Sequence, residues 1–279
     1  MAELLQHLLN GLVLGGTYAL LGIGLTLIFG LMNVVNFAHG EFYTLGAYAA
    51  FAALLLAIAA GAVLGWLCEV TLLRPLRSES IDTTMLVMIG VWIAMQNAEL
   101  LGWGGVAKSI PHPFPTAPLV LGPVAIAPMR LFVVVLAAGL IAASWLLIQK
   151  TKLGRAMRAT FQDRDTAALM GVGIGRIHAV TFAFGSGLAA AAGALLGPVF
   201  LVYPSMGDLA SLKAFSVVIL GGLGNLPGAT LGGLLLGIAE ELGAGYVSSG
   251  YRDAVGFVII ILVLLFRPSG LFARQERIA

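Results

Sequence analysis

The sequence predicts an all-α protein, a polytopic transmembrane helix bundle of about seven or eight spans. Hydrophobic residues make up 59% of the 279-residue chain and charged residues only 10%, less than half the charged fraction of an average soluble domain. The mean hydropathy is +1.01. Residues 8–31, 42–73 and 131–148 are apolar stretches near or above the roughly 20 residues that a helix needs to cross a bilayer. Because lipid offers the backbone no hydrogen-bond partners, such spans must be helical.

The hydropathy of successive segments predicts where the membrane spans lie along the chain. Residues 8–31 form a first span that is not preceded by a basic region, so we interpret it as a mature span and not a cleaved signal. Residues 42–73 are too long for one ordinary span and short for two, which leaves the side of the N-terminus open. Later spans are expected at 83–101, 130–149, 177–202, 209–220, 230–246 and 252–266. The chain 1–279 is therefore expected to form a single transmembrane domain with closely packed, glycine-rich helices.

The distribution of charge and proline predicts which loops lie on which side. Six of the fifteen basic residues fall in the segment 150–176, which the positive-inside rule places in the cytoplasm. Six of the eleven prolines fall in the loop of about 104–128, where they exclude a regular helix. This loop lies between an outward and an inward span, so it is expected to be external.

An internal comparison suggests two repeats. At an offset of 167 residues, Gly30 and the pair Gly40-Glu41 align with Gly197 and the pair Gly207-Asp208. Transporters often consist of two repeats with the pathway at their interface, built from broken or re-entrant helices. In a chain with 37 glycines such matches also arise by chance, so both readings stay open.

Polar residues inside apolar stretches are the candidates for a translocation pathway. The densest group lies at 33–41, where two amides, an imidazole and a carboxylate must pair or face water. Capping of the flanking helix ends explains the same residues without a role in transport. Glu240 is the best candidate for a buried carboxylate of a proton-coupled carrier. The pathway candidates are Asn33, Asn36, His39, Glu41, Gln96, Asn97, Asp208 and Glu240.

The sequence does not favour an enzyme. The glycine-rich segments at 171–175 and 221–228 lack either the preceding strand or the Lys-Ser/Thr ending of nucleotide-binding loops, and no nucleophile with a base and an orienting residue can be assembled. His39 and Glu41 lie on one short turn without a second ligand cluster, so no metal site is predicted. No cofactor and no nucleic-acid partner are expected.

The basic segment 150–176 has the composition of short amphipathic helices, because alanine and methionine alternate with its charges. Such a helix docks either into a groove of a partner protein or onto anionic lipid headgroups, and composition leaves both open. The candidate residues of this loop are Arg155, Arg158, Asp163, Ala167, Ala168 and Gly171.

Four sequence blocks, in this order, resemble the LivH-type branched-chain amino acid permease family of ABC importers. They are Asn-Phe-Ala-His-Gly-Glu-Phe-Tyr at 36–43, Leu-Gly-Arg-Ala-Met-Arg-Ala at 153–159, Gly-Gly-Leu-Gly-Asn-Leu-Pro-Gly-Ala at 221–229 and Phe-Arg-Pro-Ser-Gly-Leu at 266–271. The resemblance implies about eight helices, a second permease subunit of the same or a different chain, two cytoplasmic ATPase subunits that bind the ATP, and an extracytoplasmic solute-binding protein. It also implies the inner membrane of a bacterium, and identifies Ala167 to Gly171 as a motif that docks on the ATPase.

The chain departs from the family in one place, since it lacks roughly twenty residues between Tyr48 and Arg74. Sister families that move urea, short amides or aromatic acids are similar in sequence, so the cargo stays open beyond branched-chain or related amino acids. A self-sufficient secondary carrier or channel is the alternative from another class. It predicts a buried ionisable relay and no ATPase dock.

Overall fold

The structure, a computed structural model, describes residues 2–50, 54–115, 117–122, 124–268 and 270–272. Its α-helices are α1 (Ala2–Met32), α2 (His39–Ala49), α3 (Leu54–Cys68), α4 (Ile81–Trp103), α5 (Pro128–Lys150), α6 (Lys152–Gln162), α7 (Arg164–Leu169), α8 (Ile174–Leu196), α9 (Met206–Gly221), α10 (Leu226–Tyr246) and α11 (Arg252–Phe266). A π-helical turn (Glu69–Leu73) extends α3, and short 3₁₀ turns precede α4 and α11 (Pro75–Ser78 and Ser249–Tyr251).

The described residues confirm a polytopic helical bundle. Six helices are long and apolar enough to cross a membrane, and counting α9 and α10 as one bent span brings the number to seven. The expected region 42–73 holds only one full span, α3 with its π-helical turn. The other helix in this region, α2, has 11 residues and is about 16 Å long, too short for a hydrocarbon core of about 30 Å. In the described part of the chain the number of full spans is therefore at most seven, the lower of the two numbers expected.

Two antiparallel helices, α1 and α8, form the centre of the bundle. Gly24 of α1 meets Gly185 of α8, and a Cβ added to Gly24 would lie 2.6 Å from the Gly185 carbonyl oxygen. Leu31 at the end of α1 packs with Ile177 at the start of α8. Helices α2 and α8 are equally close, since Gly193 contacts the backbone of Tyr43 directly. The glycines thus serve the close backbone contacts that the sequence predicts.

The two ends of the bundle are defined by the loops that they carry. We call the end with α6 and α7 the inner end and the end with residues 104–127 the outer end. The start of α1 lies at the outer end, where Gln6 Oε1 accepts a hydrogen bond from the Ala125 backbone N–H at 3.1 Å and Arg130 donates to Asn10 at 2.5 Å. If the basic loop is cytoplasmic, α1 runs from the outside inwards.

The proline-rich loop contains no helix between residues 104 and 127, as far as its residues are described. It carries instead an antiparallel hairpin of β1 (Leu119–Leu121) and β2 (Val124–Ile126). Lys108 and Val202 exchange two backbone hydrogen bonds of 2.8 Å, which attach the loop to the segment after α8. Pro128 begins α5, where the missing backbone N–H costs no helical hydrogen bond.

The repeat expected at an offset of 167 residues has a structural counterpart. After α1 the chain turns back into the bundle and starts α2, and after α8 it turns back and starts α9. We call α1–α3 and α8–α10 the two repeat units. Helix α3 packs on α8, and α10 packs on α1, so each unit covers the central helix of the other. Because α1 and α8 are antiparallel, the two units have inverted topology, an arrangement found in many transporters.

Candidate translocation site

The break between α1 and α2 brings a helix start into the middle of the bundle. Asn33 ends α1 in the left-handed conformation, with φ of 52°, which asparagine tolerates better than most residues. The chain then folds back until His39 Nε2 donates a hydrogen bond to the carbonyl oxygen of Leu21, at 3.1 Å. Leu21 lies near the middle of α1. Helix α2 therefore begins deep inside the bundle and runs to the outer end.

The starts of α2 and α9 meet at their equivalent glycines, Gly40 and Gly207, whose backbones are in direct contact. Ser211 of α9 fixes this junction, because its hydroxyl accepts from the Gly40 N–H at 2.9 Å and donates to the Phe37 carbonyl oxygen at 3.2 Å. Both helix N-termini carry partial positive charge, so the bundle centre contains two half-helix ends of the kind that bind anionic groups in transporters.

Three carboxyl groups surround this junction. Glu41 is completely buried in the first turn of α2, and its Oε1 would lie 2.6 Å from a Cβ on Gly207. Glu41 faces Glu99 of α4, and Asp208 follows Gly207 in the first turn of α9. Asp208 Oδ1 accepts hydrogen bonds of 3.0 Å from Trp92 and from Gln96.

The structure therefore brings Glu41, Gln96 and Asp208 together and adds Glu99, which is not among the candidates predicted from the sequence. Glu99 is only 3% exposed. Its neighbour Asn97 does not join them, since it is exposed and donates to Ile93 of its own helix at 2.7 Å.

Asn36 does not cap a helix. Its side chain is completely buried, and neither amide atom has a hydrogen-bond partner among the described residues. Helix α2 starts after Ala38 without a side-chain cap. Capping thus explains Asn33 but leaves Asn36 as an unsatisfied amide at the bundle centre, a costly arrangement that calls for a polar partner.

An outer cavity of about 440 Å³ lies between α1, α2, α8, α9 and α11. Its apolar wall includes Leu14, Leu21 and Met206, and its polar groups include Tyr18, Lys213 and Asp253. Leu21 is also the residue whose carbonyl holds His39, so the cavity reaches the depth at which α2 begins.

Lys213 is the most buried basic residue described, with 4% of its side chain exposed. It forms ion pairs with Glu240 and, at 2.8 Å, with Asp253. The Tyr18 hydroxyl donates to Glu240 Oε2 at 3.1 Å. The candidate Glu240 is thus fully buried, as expected, but it is paired with a lysine and a tyrosine. Lys213 is not among the candidates predicted from the sequence, although a single basic residue within an apolar span signals a buried partner.

A smaller inner cavity of about 120 Å³ lies at the opposite end and is lined by Asn33, Val34, Arg77 and His178, among others. Asn33 and Val34 are the repeat equivalents of Phe200 and Leu201, which line the outer cavity. The two cavities therefore occupy equivalent places in the inverted units, one on each side of the central junction.

The segment 150–176 forms two helices, α6 and α7, at the inner end. Met157 of α6 packs against the ends of α1 and α8, and Arg158 donates to the carbonyl oxygen of Ile148 near the end of α5. Arg155 lies on the exposed side of α6. The predicted amphipathic helix is thus confirmed and is attached to the bundle by its buried face.

Helix α7 is short but well defined at both ends. Asp163 caps its start by accepting hydrogen bonds of 3.0 Å from the backbone N–H groups of Asp165 and Thr166. The Thr166 hydroxyl also donates to Asp163, and this bond together with the backbone bonds lowers the pKa of the Asp163 carboxyl. Gly171, with φ of 85°, ends the turn after α7.

The tip of α7 presents an exposed apolar surface. Leu169 is 87% exposed and Met170 81%, and Ala168 beside them is exposed as well. Ala167 is buried and holds the helix against the bundle. Exposed apolar residues on an ordered helix are typical of a docking surface.

Phe161 of α6 contacts the two places where a long helical segment is interrupted, the end of α1 and the turn between α9 and α10. Its ring lies against Gly30, just before the break of α1, and against Gly224, in the turn between α9 and α10, since a Cβ on either glycine would lie 2.5 Å from a ring carbon. Phe161 therefore joins α6 by direct contact to the end of α1 and to the turn after α9.

No group of three potential metal ligands occurs among the described residues. The polar centre instead consists of an unsatisfied amide, carboxyl groups and helix ends, flanked by one cavity on each side. Together with the inverted units and the spanning helices, these features define a multi-pass membrane transport protein.

The comparisons with known proteins identify the family. The model of the family described as branched-chain amino acid transport system, permease component, matches residues 7–264. This chain belongs to that family. No solved structure matches it significantly.

The relatives cover nearly the whole chain. The high-affinity branched-chain amino acid transport system permease protein BraD of Pseudomonas aeruginosa is 39% identical over 98% of this chain and 96% of its own length. The corresponding protein LivH of Escherichia coli K12 is 37% identical over the same shares. A more distant relative is the ribose import permease protein RbsC of E. coli K12, 26% identical over 94% of this chain and 85% of its own length. These names are those of transport permeases and not of enzymes, as the sequence predicts.

The alignments with BraD and LivH extend over 297 positions, more than the 279 residues of this chain. Both relatives therefore carry residues without a counterpart here, as the resemblance predicts. That these residues fall between Tyr48 and Arg74 stays a prediction. The shortness of α2 is consistent with it.

Proposed function

We propose that this chain is the membrane-spanning permease subunit of an ATP-driven importer of branched-chain amino acids in the inner membrane of a bacterium. The relatives BraD and LivH, by name, transport these amino acids with high affinity, and their similarity extends over almost the entire chain. A second permease subunit, two ATPase subunits and an external binding protein complete the assembly.

The observation that carries this proposal is the exposed apolar tip of α7. Leu169 and Met170 lie on a capped helix at the inner end, and Phe161 of the adjacent α6 contacts the ends of both broken elements. A partner that binds α7 can therefore move α6 and, through it, the junction between the two cavities. A partner-driven cycle of this kind needs an energy source outside the chain, which fits an ATPase.

The alternative, a self-sufficient proton-coupled carrier, has less support. Its best candidate, Glu240, is paired with Lys213 and hydrogen-bonded to Tyr18. Glu240 is completely buried and both of its oxygens have partners, so it has no contact with water through which a proton could enter and leave as a carrier requires.

The test is co-expression with candidate ATPase subunits from the same genome, followed by purification through a tag on the permease. We expect the ATPases to co-purify with the wild type and to be lost from Leu169→Glu, which places a charge in the apolar tip. Gln162→Glu adds the same charge at an exposed position of α6 and serves as the matched control. A chain that transports leucine in liposomes without any ATPase would contradict the proposal.

A further inference from the structure

We propose that the outer cavity binds the zwitterion of an aliphatic α-amino acid, with Lys213 holding its carboxylate and Asp253 its ammonium group. This inference rests on the proposed function and adds to it a binding site within the permease itself. The cavity of about 440 Å³ falls within the roughly 300–1,000 Å³ of small-molecule sites.

The charges of the cavity suit a zwitterion. Glu240 is completely buried and pairs with Lys213, so these two side chains neutralise each other. Arg252, the other basic residue that lines the cavity, pairs with Glu241 at 2.8 Å. Asp253, also within 2.8 Å of Lys213, then carries a negative charge without a full counter-charge, and 49% of its side chain is exposed. A cationic group that enters the cavity therefore finds a carboxylate that is accessible and incompletely compensated.

Lys213 can accept an anionic group at the same time. An ammonium group has three donors, of which Glu240 and Asp253 occupy two. If a ligand carboxylate displaces Asp253 from Lys213, the lysine keeps Glu240 as its partner and Asp253 is released to bind the ligand's ammonium group. The exchange leaves no buried charge unpaired, which avoids the main cost of polar binding in a membrane protein.

The remaining walls suit an aliphatic side chain. The cavity that contains Lys213 and Asp253 is also lined by four apolar side chains, those of Leu14, Leu21, Met206 and Leu209. The cavity contains apolar surface for a hydrocarbon group and a pair of opposite charges for the common part of an amino acid. A sugar or an uncharged amide carries no charge that could match either Lys213 or Asp253.

The test measures equilibrium binding to the permease–ATPase complex in nanodiscs, without binding protein and without nucleotide. The probes are leucine, 4-methylpentanoate, which lacks the ammonium group, and 3-methylbutylamine, which lacks the carboxylate. We expect wild type to bind leucine about 10- to 100-fold more tightly than either analogue, the effect of one charge-assisted hydrogen bond.

Asp253→Asn should weaken leucine binding by a similar factor. It should not weaken the binding of 4-methylpentanoate, because the carboxylate of this probe no longer competes with Asp253 for Lys213. The matched control is Asp82→Asn, which alters another aspartate in the first turn of a helix, away from the outer cavity. The double variant Lys213→Met/Glu240→Gln removes both members of the buried pair. It should abolish the preference for leucine over 3-methylbutylamine.

Equal leucine affinity in wild type and Asp253→Asn would overturn the inference, as would an equal loss of leucine and 4-methylpentanoate binding in this variant. Absence of leucine binding to an assembled, transporting wild-type complex would also overturn it, while the proposed function would stand. Failure of the ATPases to associate is a different result, which contradicts the proposed function itself.

Discussion

Replacing Gly24 with alanine tests the close contact between α1 and α8. A Cβ at this position would lie 2.6 Å from the Gly185 carbonyl oxygen and 3.1 Å from His39 Cε1. The first of these atoms belongs to the backbone of a buried helix and cannot rotate away. The two central helices must therefore separate to admit a single methyl group.

The separation can be derived from these distances. Ordinary van der Waals contact begins near 3.4 Å, so α1 and α8 must move apart by about 0.8 Å at their crossing. Overpacking of a well-packed interior costs about 1–3 kcal/mol, and we expect Gly24→Ala to lower the free energy of unfolding by this amount. The same shift weakens the hydrogen bond between His39 and Leu21, because both lie beside Gly24.

The measurement is the thermal or SDS-induced unfolding of purified protein in detergent micelles. Gly139→Ala is the matched control, because Gly139 lies inside α5 and a methyl group added there would have no atom within 4 Å. The control should be as stable as wild type or slightly more stable, since alanine favours helices. If Gly24→Ala and Gly139→Ala unfold at the same point, the central helices do not pack as described.

Three further predictions concern single elements. Lys213→Met should lower the free energy of unfolding by about 3–5 kcal/mol because it leaves Glu240 buried and unpaired, and Lys213→Met/Glu240→Gln should recover most of this loss in the same unfolding assay. Asp163→Ala should weaken co-purification of the ATPases, because it removes the cap of α7. Hydrogen bonds lower the pKa of the Asp163 carboxyl, so in wild type the cap should be complete above about pH 4 and should be lost as the pH falls through this lowered pKa. Pull-downs of the ATPases at a series of pH values would measure this loss. Gly224→Ala should displace Phe161 and reduce transport while leaving ATPase binding intact, and unchanged transport would contradict the link between α6 and the α9–α10 turn.

The sequence alone shows that the protein spans a membrane and where most of its helices lie, because hydropathy and charge are properties of short segments. The basic segment 150–176 and the proline-rich loop at 104–128 are recognisable for the same reason. The repeat is also detectable, since Gly40 and Gly207 are required by the same close contact in both units. Lys213 is detectable in principle as a charge within an apolar helix, whereas its partners are not.

The tertiary structure alone decides which polar groups meet. Glu240 pairs with Lys213 and with Tyr18, which lies 222 positions away in the sequence. Glu99, which the sequence does not single out, is buried against Glu41. The sequence also leaves the side of α1 open, and the contact of Gln6 with Ala125 assigns it to the outer end. Such contacts arise when distant segments pack together, and local hydropathy carries no information about which distant segment a buried group will face.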